Sequence, residues 1–343
     1  MRQRSKKCLK NSYAGDTGFR ADFRRRRNGK AGVSMRKEKI AFRSNDERTA
    51  IHAVQWLPEQ KPRAILQIVH GMAEYAERYE PFAKFLTEQG FLVVGHDHLG
   101  HGASVCSAED YGYFAEKNGN QTLLKDIHKL RKQTQKKYPG IPYFILGHSM
   151  GSFLVRQYLC IYAEGLAGAV IMGTGYQPWI LTKFGMGLCK VRAWQRGWRY
   201  RSNLIDSMAC GAYARYFKGE TGNEWLSRNQ ENVMRYTRDE RCGFQFTLNG
   251  YYNLFYSINC LSYRSYLEKM PKDLPILFVS GEQDPVGQFG KGVKKVYKTF
   301  LKLGIQDASC KLYPEDRHEI LNEIDADVVM KDISEWLEKK LDR

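Results

Sequence analysis

The sequence contains no uninterrupted hydrophobic run of membrane-spanning length. A helix that crosses a bilayer needs about 20 mostly apolar residues, whereas the longest apolar runs here, such as residues 169–172, have the length of a strand. The N-terminus has no apolar signal segment, and the eight cysteines are scattered without a Cys-x-x-Cys pair. These absences argue against a membrane-spanning protein and a disulfide-framed secreted domain. They predict a reducing, cytoplasmic location.

Positive charge is in excess, with a formal net charge of +17. Residues 1–34 carry eleven Lys or Arg against two Asp, including the arginine run 24–27, and show almost no apolar periodicity. This composition predicts a basic, disordered tail, either a dispensable extension or an arm that binds RNA or an anionic membrane. The rest of the chain has no recognised nucleic-acid module, so no nucleic-acid partner is expected.

Behind the tail, two kinds of pattern alternate along the chain. Apolar, strand-like runs occupy residues 50–56, 64–69, 91–94, 143–146, 169–172 and 276–279. Amphipathic helical spacing occupies residues 79–89, 122–138, 153–162, 291–303 and 320–341. Near-continuous apolar strands separated by helices predict an α/β fold with a mostly parallel sheet covered on both faces.

The alternation stops once, for nearly a hundred residues. Residues 176–270 have mainly helical spacing, several tryptophans and no comparable strand-like run. A block of this length is too long for a loop between two core strands. We therefore predict a helical cap at 176–270, inserted between two parts of one core at 35–175 and 271–343. Ligands of open α/β sheets bind at the carboxyl edge of the strands, which such a cap would cover.

The pentapeptide Gly-His-Ser-Met-Gly at residues 147–151 lies between a predicted strand and a predicted helix. In that context, G-x-S-x-G indicates a sharp turn that presents its serine as a nucleophile. We expect Ser149 to have a positive φ, with glycines on either side because a Cβ there would strike a neighbouring strand or helix. The alternative is a structural role, in which the serine only packs in a glycine-rich turn.

A serine hydroxyl needs a base, and the base needs an orienting acid. His318 is the single histidine after Ser149 in the chain, so the expected order Ser, acid, His leaves no other candidate base. The loop after the strand-like run 276–279 supplies two acids, Glu282 and Asp284. We favour Asp284, which lies farther beyond the strand and is followed by Pro285. The alternatives are a surface histidine and a turn-capping aspartate.

Acyl transfer also needs donors for the developing oxyanion. We expect the backbone N–H of Met150, directly after the serine, to be one. The turn after the strand-like run 64–69 would supply the other from the N–H of Met72.

A metal site is the rival interpretation for the cluster His96, Asp97, His98 and His101. Because no second group of ligands appears later in the chain, we instead expect a glycine-containing turn whose Asp97 and His98 bond to local backbone. No cofactor and no metal are expected.

Five ordered motifs together resemble the monoacylglycerol lipase and lysophospholipase branch of the α/β-hydrolase superfamily, over roughly residues 38–341. They are HGMAEYAERYEPFA, DHLGHGAS, GHSMG, SGEQDPVG and RHEILNE. The resemblance implies a serine esterase without a cofactor, with Ser149, Asp284 and His318 as the triad and Met72 and Met150 as oxyanion donors. It also implies that Glu74 and Arg78 help to hold the glycerol or headgroup end of the substrate.

The expected substrate is an acyl ester of a monoacyl lipid, such as a monoacylglycerol or a lysophospholipid. A carboxylesterase for small esters is the alternative, and a non-catalytic binding protein of the same fold is a third class. Residues 179–202 contain six Lys or Arg, no acid and interleaved aromatics. This segment indicates either peripheral contact with an anionic membrane or a cap helix with a solvated basic face.

Overall fold

The computed structural model describes residues 35–341, and a single sheet runs through its centre. The strands are β1 (Arg36–Arg43), β2 (Ala50–Leu57), β3 (Ala64–Val69), β4 (Phe91–His96), β5 (Tyr143–His148), β6 (Gly168–Met172), β7 (Ile276–Gly281) and β8 (Ala308–Tyr313). Their order is β1-β2-β4-β3-β5-β6-β7-β8. Strands β3 to β8 are parallel, whereas β1 and β2 are antiparallel to their neighbours. The predicted mostly parallel α/β fold is confirmed.

Helices cover the sheet and fill the long insertion. They are α1 (Glu80–Thr87), α2 (Gly119–Lys137), α3 (Met150–Leu159), α4 (Trp179–Arg196), α5 (Asn203–Asp206), α6 (Gln230–Arg238), α7 (Leu248–Cys260), α8 (Arg264–Leu267), α9 (Lys291–Lys302) and α10 (Ala326–Leu341). The prediction of one closing helix from residue 320 was wrong at its start. A 3₁₀ turn covers Ile320–Asn322, and Glu323 then has extended backbone, so the helix begins only at Ala326.

The strands bury side chains on both faces, which explains their near-continuous apolar sequence. In β3, Ile65 belongs to a cluster that includes residues of α2, α3 and α9. The next residue, Leu66, belongs to a cluster on the other face that includes residues of α1 and α10. Both side chains are fully buried. The alternation of the strand thus ties two helical layers to one sheet.

Helices α4 to α8 lie between β6 and β7 in the chain, and the described part of that stretch contains no strand. Helix α4 packs along α7, and its residues Thr182, Gly185 and Cys189 are buried. This is the stretch for which we predicted the cap, and we keep 176–270 as its proposed extent.

Strand register brings the predicted site segments together at one edge of the sheet. Val69 of β3 pairs with Gly147 of β5, so the turn after β3 lies beside the turn after β5. Gly281 of β7 pairs with Tyr313 of β8, so the loops that follow these two strands are also neighbours. Chain segments that are distant in sequence therefore converge at the carboxyl ends of parallel strands.

Two expectations concern the chain as a whole. The predicted basic tail, residues 1–34, lies outside the described residues. Within residues 35–341, no helix has the length and hydropathy that crossing a membrane would require.

Candidate active site

Ser149 forms the joint between β5 and α3. Its backbone has φ 53° and ψ −119°, and a non-glycine residue adopts a positive φ only at an energetic cost. Its N–H donates to the carbonyl oxygen of Met172 on β6, at 3.0 Å. The turn therefore has the predicted strained conformation, and the serine stands at the N-terminus of a helix, where the partial positive charge favours a nearby anion.

Two glycines permit this turn by leaving room for the neighbouring backbone. A Cβ on Gly151 would lie 2.0 Å from the carbonyl oxygen of Val69. A Cβ on Gly147 would lie 2.4 Å from the carbonyl oxygen of Gly151. Both distances are impossible contacts, so any side chain at either position would push the serine out of place.

The side chains of Asp284 and His318 meet in the neighbouring loops after β7 and β8. Asp284 Oδ2 lies 3.0 Å from His318 Nδ1. The same carboxylate accepts from the N–H of Val286, at 2.8 Å, and from the hydroxyl of Ser280, at 3.3 Å. Asp284 is fully buried and His318 almost fully. This contact holds the imidazole through Nδ1. The second ring nitrogen, Nε2, is not engaged by Asp284.

The alternative acid, Glu282, has a different environment. Its side chain is 40% exposed, and its nearest cation is the amino group of Lys294, at 3.7 Å. No hydrogen bond between Glu282 and His318 is present within residues 35–341. The geometry therefore favours Asp284 as the partner of His318.

A cavity of about 530 Å³ opens above this edge of the sheet, within the range of roughly 300–1,000 Å³ typical of ligand pockets. Ser149 and His318 both line it, as do Met72 and Met150. Met150 is the first residue of α3, so its N–H has no partner within the helix. Together with Glu74, five of the predicted site residues thus line this cavity, and Asp284 contacts His318 from behind.

The cavity wall carries acidic but no permanently cationic side chains. Glu74, Asp206 and Glu319 line it, whereas no Lys or Arg does so among residues 35–341. Asp206 accepts a hydrogen bond from the hydroxyl of Tyr251. The rest of the wall is mainly apolar, from α4, α7 and the segments between them.

Glu74 lies in the wall as part of a buried polar network. One carboxylate oxygen accepts from the N–H of Gly71, at 2.6 Å, and from the hydroxyl of Tyr79, at 2.9 Å. The other accepts from Arg78, at 2.9 Å. Burial favours the neutral acid, but the hydrogen bond from His148 and the charge of Arg78 nevertheless lower the pKa of Glu74 well below its usual range. Glu74 is therefore an anion next to the cavity.

Arg78 does not line the cavity within the described residues. Its guanidinium makes two bonds to the carboxylate of Glu319, both of 2.7 Å, and this fork-to-fork contact is the strong form of an ion pair. Arg78 thus lies behind Glu74 and Glu319. Sequence reasoning missed Glu319, because its position next to His318 was the only signal.

His148 connects this network to His318. Its Nδ1 lies 3.0 Å from Glu74 Oε1 and 2.8 Å from the hydroxyl of Tyr79. Its Nε2 lies 3.3 Å from the backbone carbonyl oxygen of His318. Burial alone would lower the pKa of His148, but Glu74 raises it above the ordinary value of 6.5. The shift is towards the doubly protonated form, which can donate to Glu74 and to the carbonyl oxygen of His318.

The histidine cluster that suggested a metal has the geometry of a buried core. Asp97 accepts from the N–H of Ala103, at 2.8 Å, as expected for a turn. The expectation for His98 was wrong for its side chain, because neither ring nitrogen has a hydrogen-bond partner within residues 35–341. Burial lowers the pKa of His98 well below 6.5, and that of His96 to about 3. Within residues 35–341, no group of three or more His, Cys, Asp or Glu side chains is arranged so that it could hold a metal ion.

Comparison with known proteins gives a consistent result. The family model Hydrolase_4, described as serine aminopeptidase, S33, matches residues 60–325. Human monoglyceride lipase is 26% identical over 301 residues, which cover 83% of this chain and 86% of that protein.

Solved structures agree with this result. A thermostable carboxyl esterase from Bacillus coagulans, solved in complex with glycerol, superposes with a TM-score of 0.83 at 30% identity, covering 90% of this chain and all of that one. A soluble variant of monoglyceride lipase from Saccharomyces cerevisiae, in complex with a substrate analogue, gives a TM-score of 0.70 at 18% identity. It covers 91% of this chain and 97% of that one, and at this identity it shows the fold alone.

Proposed function

As this chain belongs to the Hydrolase_4 family (serine aminopeptidase, S33) and is a serine ester hydrolase of the α/β-hydrolase superfamily, similar to monoglyceride lipases, we propose that it cleaves neutral monoacyl lipids. The observation that carries this proposal is that Ser149 and His318 line the same, largely apolar cavity. Monoacylglycerols are the simplest substrates of this class.

In the proposed mechanism, Ser149, His318 and Asp284 act as a catalytic triad. Ser149 Oγ bonds to the acyl carbon while its proton passes to Nε2 of His318. Asp284, at 3.0 Å from Nδ1, holds the ring in the tautomer that leaves Nε2 free to accept. The backbone N–H groups of Met72 and Met150 donate to the oxyanion of the tetrahedral intermediate, and each such donor contributes roughly 3 kcal/mol to lowering the barrier.

The second half of the cycle uses the same groups. The alcohol leaves with the proton from His318, and the acyl group stays on Ser149 as an ester. Water then attacks that ester while His318 takes the water proton and returns it to Ser149 Oγ. The products are a fatty acid and the free alcohol, and no cofactor is needed.

The acyl chain would lie against the apolar wall of the cavity. Leu181 and Phe184 come from α4, and Leu254, Phe255 and Ile258 come from α7. Each methylene group that leaves water for such a wall contributes roughly 0.8 kcal/mol to binding. This wall supports a long acyl chain rather than a short one.

The charge of the wall supports a neutral headgroup. No Lys or Arg lines the cavity among the described residues, and Arg78 behind the wall is already paired with Glu74 and Glu319. A phosphate that entered the cavity would therefore lose its hydration without gaining a cation. We therefore favour glycerol esters over lysophospholipids. Glu74 would contact the glycerol hydroxyls directly, and Arg78 would act by orienting Glu74.

Helix α4 supports peripheral contact with an anionic membrane. It carries four cations and no acid, and several of its large apolar side chains are more than half exposed. The cations are Lys183, Lys190, Arg192 and Arg196, and the exposed apolar residues include Ile180, Leu181, Phe184, Val191 and Trp194. An amphipathic helix of this kind binds at the headgroup level of anionic bilayers. A cytoplasmic location remains a prediction from the sequence.

Hydrolysis of small esters is the second candidate function. It is favoured by the structural similarity to the Bacillus coagulans carboxyl esterase. Such an enzyme would use the same triad and leave most of the apolar wall unfilled. Substrate length therefore separates the two functions.

A matched substrate panel tests the proposal. Monoacylglycerol and lysophosphatidic acid with the same acyl chain are compared with short p-nitrophenyl esters, with and without vesicles that contain anionic lipid. We expect the monoacylglycerol to have the highest kcat/KM, at least about tenfold above the lysophosphatidic acid, because a phosphate loses its hydration in the cavity without gaining a cation. Equal rates on those two lipids would contradict the neutral-headgroup preference. Highest activity on the short esters would support the alternative function.

A further inference from the structure

The loop that carries His318 forms few backbone hydrogen bonds within itself. It comprises residues 314–319, between the end of β8 and the 3₁₀ turn Ile320–Asn322. On the side of the sheet, the N–H of Gln283 donates to the carbonyl oxygen of Asp316, at 2.9 Å. The ring of His318 contacts Asp284, and the backbone carbonyl oxygen of His318 contacts the ring of His148. These contacts hold one side of the loop.

The other side is held by residues 224–229, which belong to the proposed cap. The N–H of Glu319 donates to the carbonyl oxygen of Leu226, at 2.7 Å. Arg317 donates from one guanidinium nitrogen to the carbonyl oxygens of Glu224, at 2.5 Å, and Ser227, at 3.2 Å. The residues on both sides of His318 are thus bonded to the main chain of this segment.

Arg228 is the residue of that segment with the most contacts to the loop region. Its guanidinium lies 2.8 Å from Glu315, 2.7 Å from Asp316, 2.7 Å from Asp325 and 3.5 Å from Glu323. Its backbone N–H also donates to both carboxylate oxygens of Glu323, at 3.0 Å each. One side chain therefore joins the proposed cap to four carboxylates that flank His318 in the sequence.

Two of these carboxylates are buried. The side chains of Asp316 and Glu323 are 1% and 0% exposed, whereas that of Arg228 is 22% exposed. Burial, together with the charges of Asp325 and Glu323, raises the pKa of Asp316 to about 7. Without Arg228 these carboxylates would either repel each other or take up protons, and in both cases the ionic contacts that hold this loop would be lost.

We propose that Arg228 is a positioning residue of the active site, which holds the loop of His318 in the place where the imidazole can reach Ser149. This inference rests on the proposed role of His318 as the base. It assigns to the proposed cap a task besides substrate selection, because the triad would be aligned only while residues 224–229 stay docked.

Arg228→Lys tests the proposal, since it keeps the charge and loses the planar fork that contacts several carboxylates at once. On a short p-nitrophenyl ester, we expect kcat to fall about 10- to 100-fold, the loss that a shift of about 1 Å in a catalytic group causes. KM should change less than about twofold, because the ester does not contact Arg228. The rate of fluorophosphonate labelling should fall by the same factor as kcat. The matched control is Arg264→Lys on α8, whose 76% exposed side chain pairs with Glu268, and it should leave all three values unchanged.

A second variant separates positioning from folding. Arg228→Gln combined with Asp316→Asn removes the cation and its buried partner together, so the melting temperature should stay close to that of the wild type. We expect kcat, normalised to the folded fraction, to remain at least about tenfold lowered, because the fork is still missing. Recovery of kcat in this double variant, or wild-type kcat in Arg228→Lys, would overturn the proposal. Absence of hydrolysis in the wild type would instead refute the proposed function itself.

Discussion

Two segments of the stretch between β6 and β7 differ in how they relate to the core. Residues 224–229 are bonded to the loop of His318 through backbone groups and through Arg228. Helix α4, in contrast, packs along α7 and exposes Trp194 to 87%. A docked segment suits alignment of catalytic groups, whereas an exposed apolar and cationic helix suits contact with a lipid surface. We therefore expect changes in the docked segment, residues 224–229, to affect every substrate. Changes at Trp194 of α4, which does not line the cavity, should affect only aggregated lipid.

The largest expected effect is that of Asp284→Asn, which changes the partner of His318. An amide would hold His318 in the wrong tautomer, and loss of the acid in a comparable triad lowers kcat about 10,000-fold. Short esters and monoacylglycerols should lose activity equally in a steady-state assay. The matched control is Glu282→Gln, four-tenths exposed and two residues away, which should keep wild-type kcat. The reverse pattern would make Glu282 the acid.

Glu74→Gln should mainly affect stability. The change leaves the buried cations Arg78 and His148 without one of their counter-charges, and breaking a buried ion pair in this way costs about 3 kcal/mol. Urea unfolding at pH 6 measures the free energy of unfolding in both proteins. An unchanged value would show that the network is not ionised as we describe it.

The same variant has a defined pH dependence. The pKa of His148 is raised above 6.5 in the folded protein, so its pairing with Glu74 contributes fully below pH 6.5 and is lost as the pH rises through the raised value. The lowered pKa of Glu74 makes its contribution present above its ordinary 4.5 and lost as the pH falls. The difference between wild type and Glu74→Gln should thus be larger at pH 6 than at pH 9, where the contact with Arg78 remains.

The smallest expected effect is that of Trp194→Ala on α4. Loss of one exposed aromatic side chain should weaken binding to anionic vesicles about tenfold, since burial of a large apolar side chain contributes roughly 1.5–3 kcal/mol. Vesicle co-sedimentation measures the binding, and turnover of a short p-nitrophenyl ester should not change.

Ile324→Ala provides the control for that experiment. Ile324 is 68% exposed but precedes α10, outside the proposed cap. It should bind vesicles like the wild type. Equal losses in the two variants would show that α4 has no special role in lipid contact.

The sequence predicted the parts of this fold that have a local pattern. Six apolar runs marked strands of the sheet, and the G-x-S-x-G turn and the position of His318 pointed to two residues that line one cavity. Strand β1 was not predicted, because its sequence, RKEKIAFR, is mostly charged and only Phe42 is buried. As an edge strand, β1 is defined by its pairing with β2 rather than by hydrophobicity.

The polar network around the site could not be predicted from the sequence. Arg78 and Glu319 are 241 residues apart, and Arg228 and Asp316 are 88 apart. Contacts of this kind depend on the folded positions of loops and leave no periodicity in the chain. His148 was visible inside the pentapeptide, but only the structure relates its two ring nitrogens to Glu74 and to the carbonyl oxygen of His318.

The central claim is that Ser149 is the nucleophile, and labelling of the wild-type protein with a fluorophosphonate, followed by peptide mass spectrometry, tests it most directly. We predict a single adduct on Ser149 that forms in step with the loss of esterase activity, and no labelling of the folded Ser149→Ala variant. An adduct on another residue that tracks the loss of activity, or full activity in Ser149→Ala, would contradict the account.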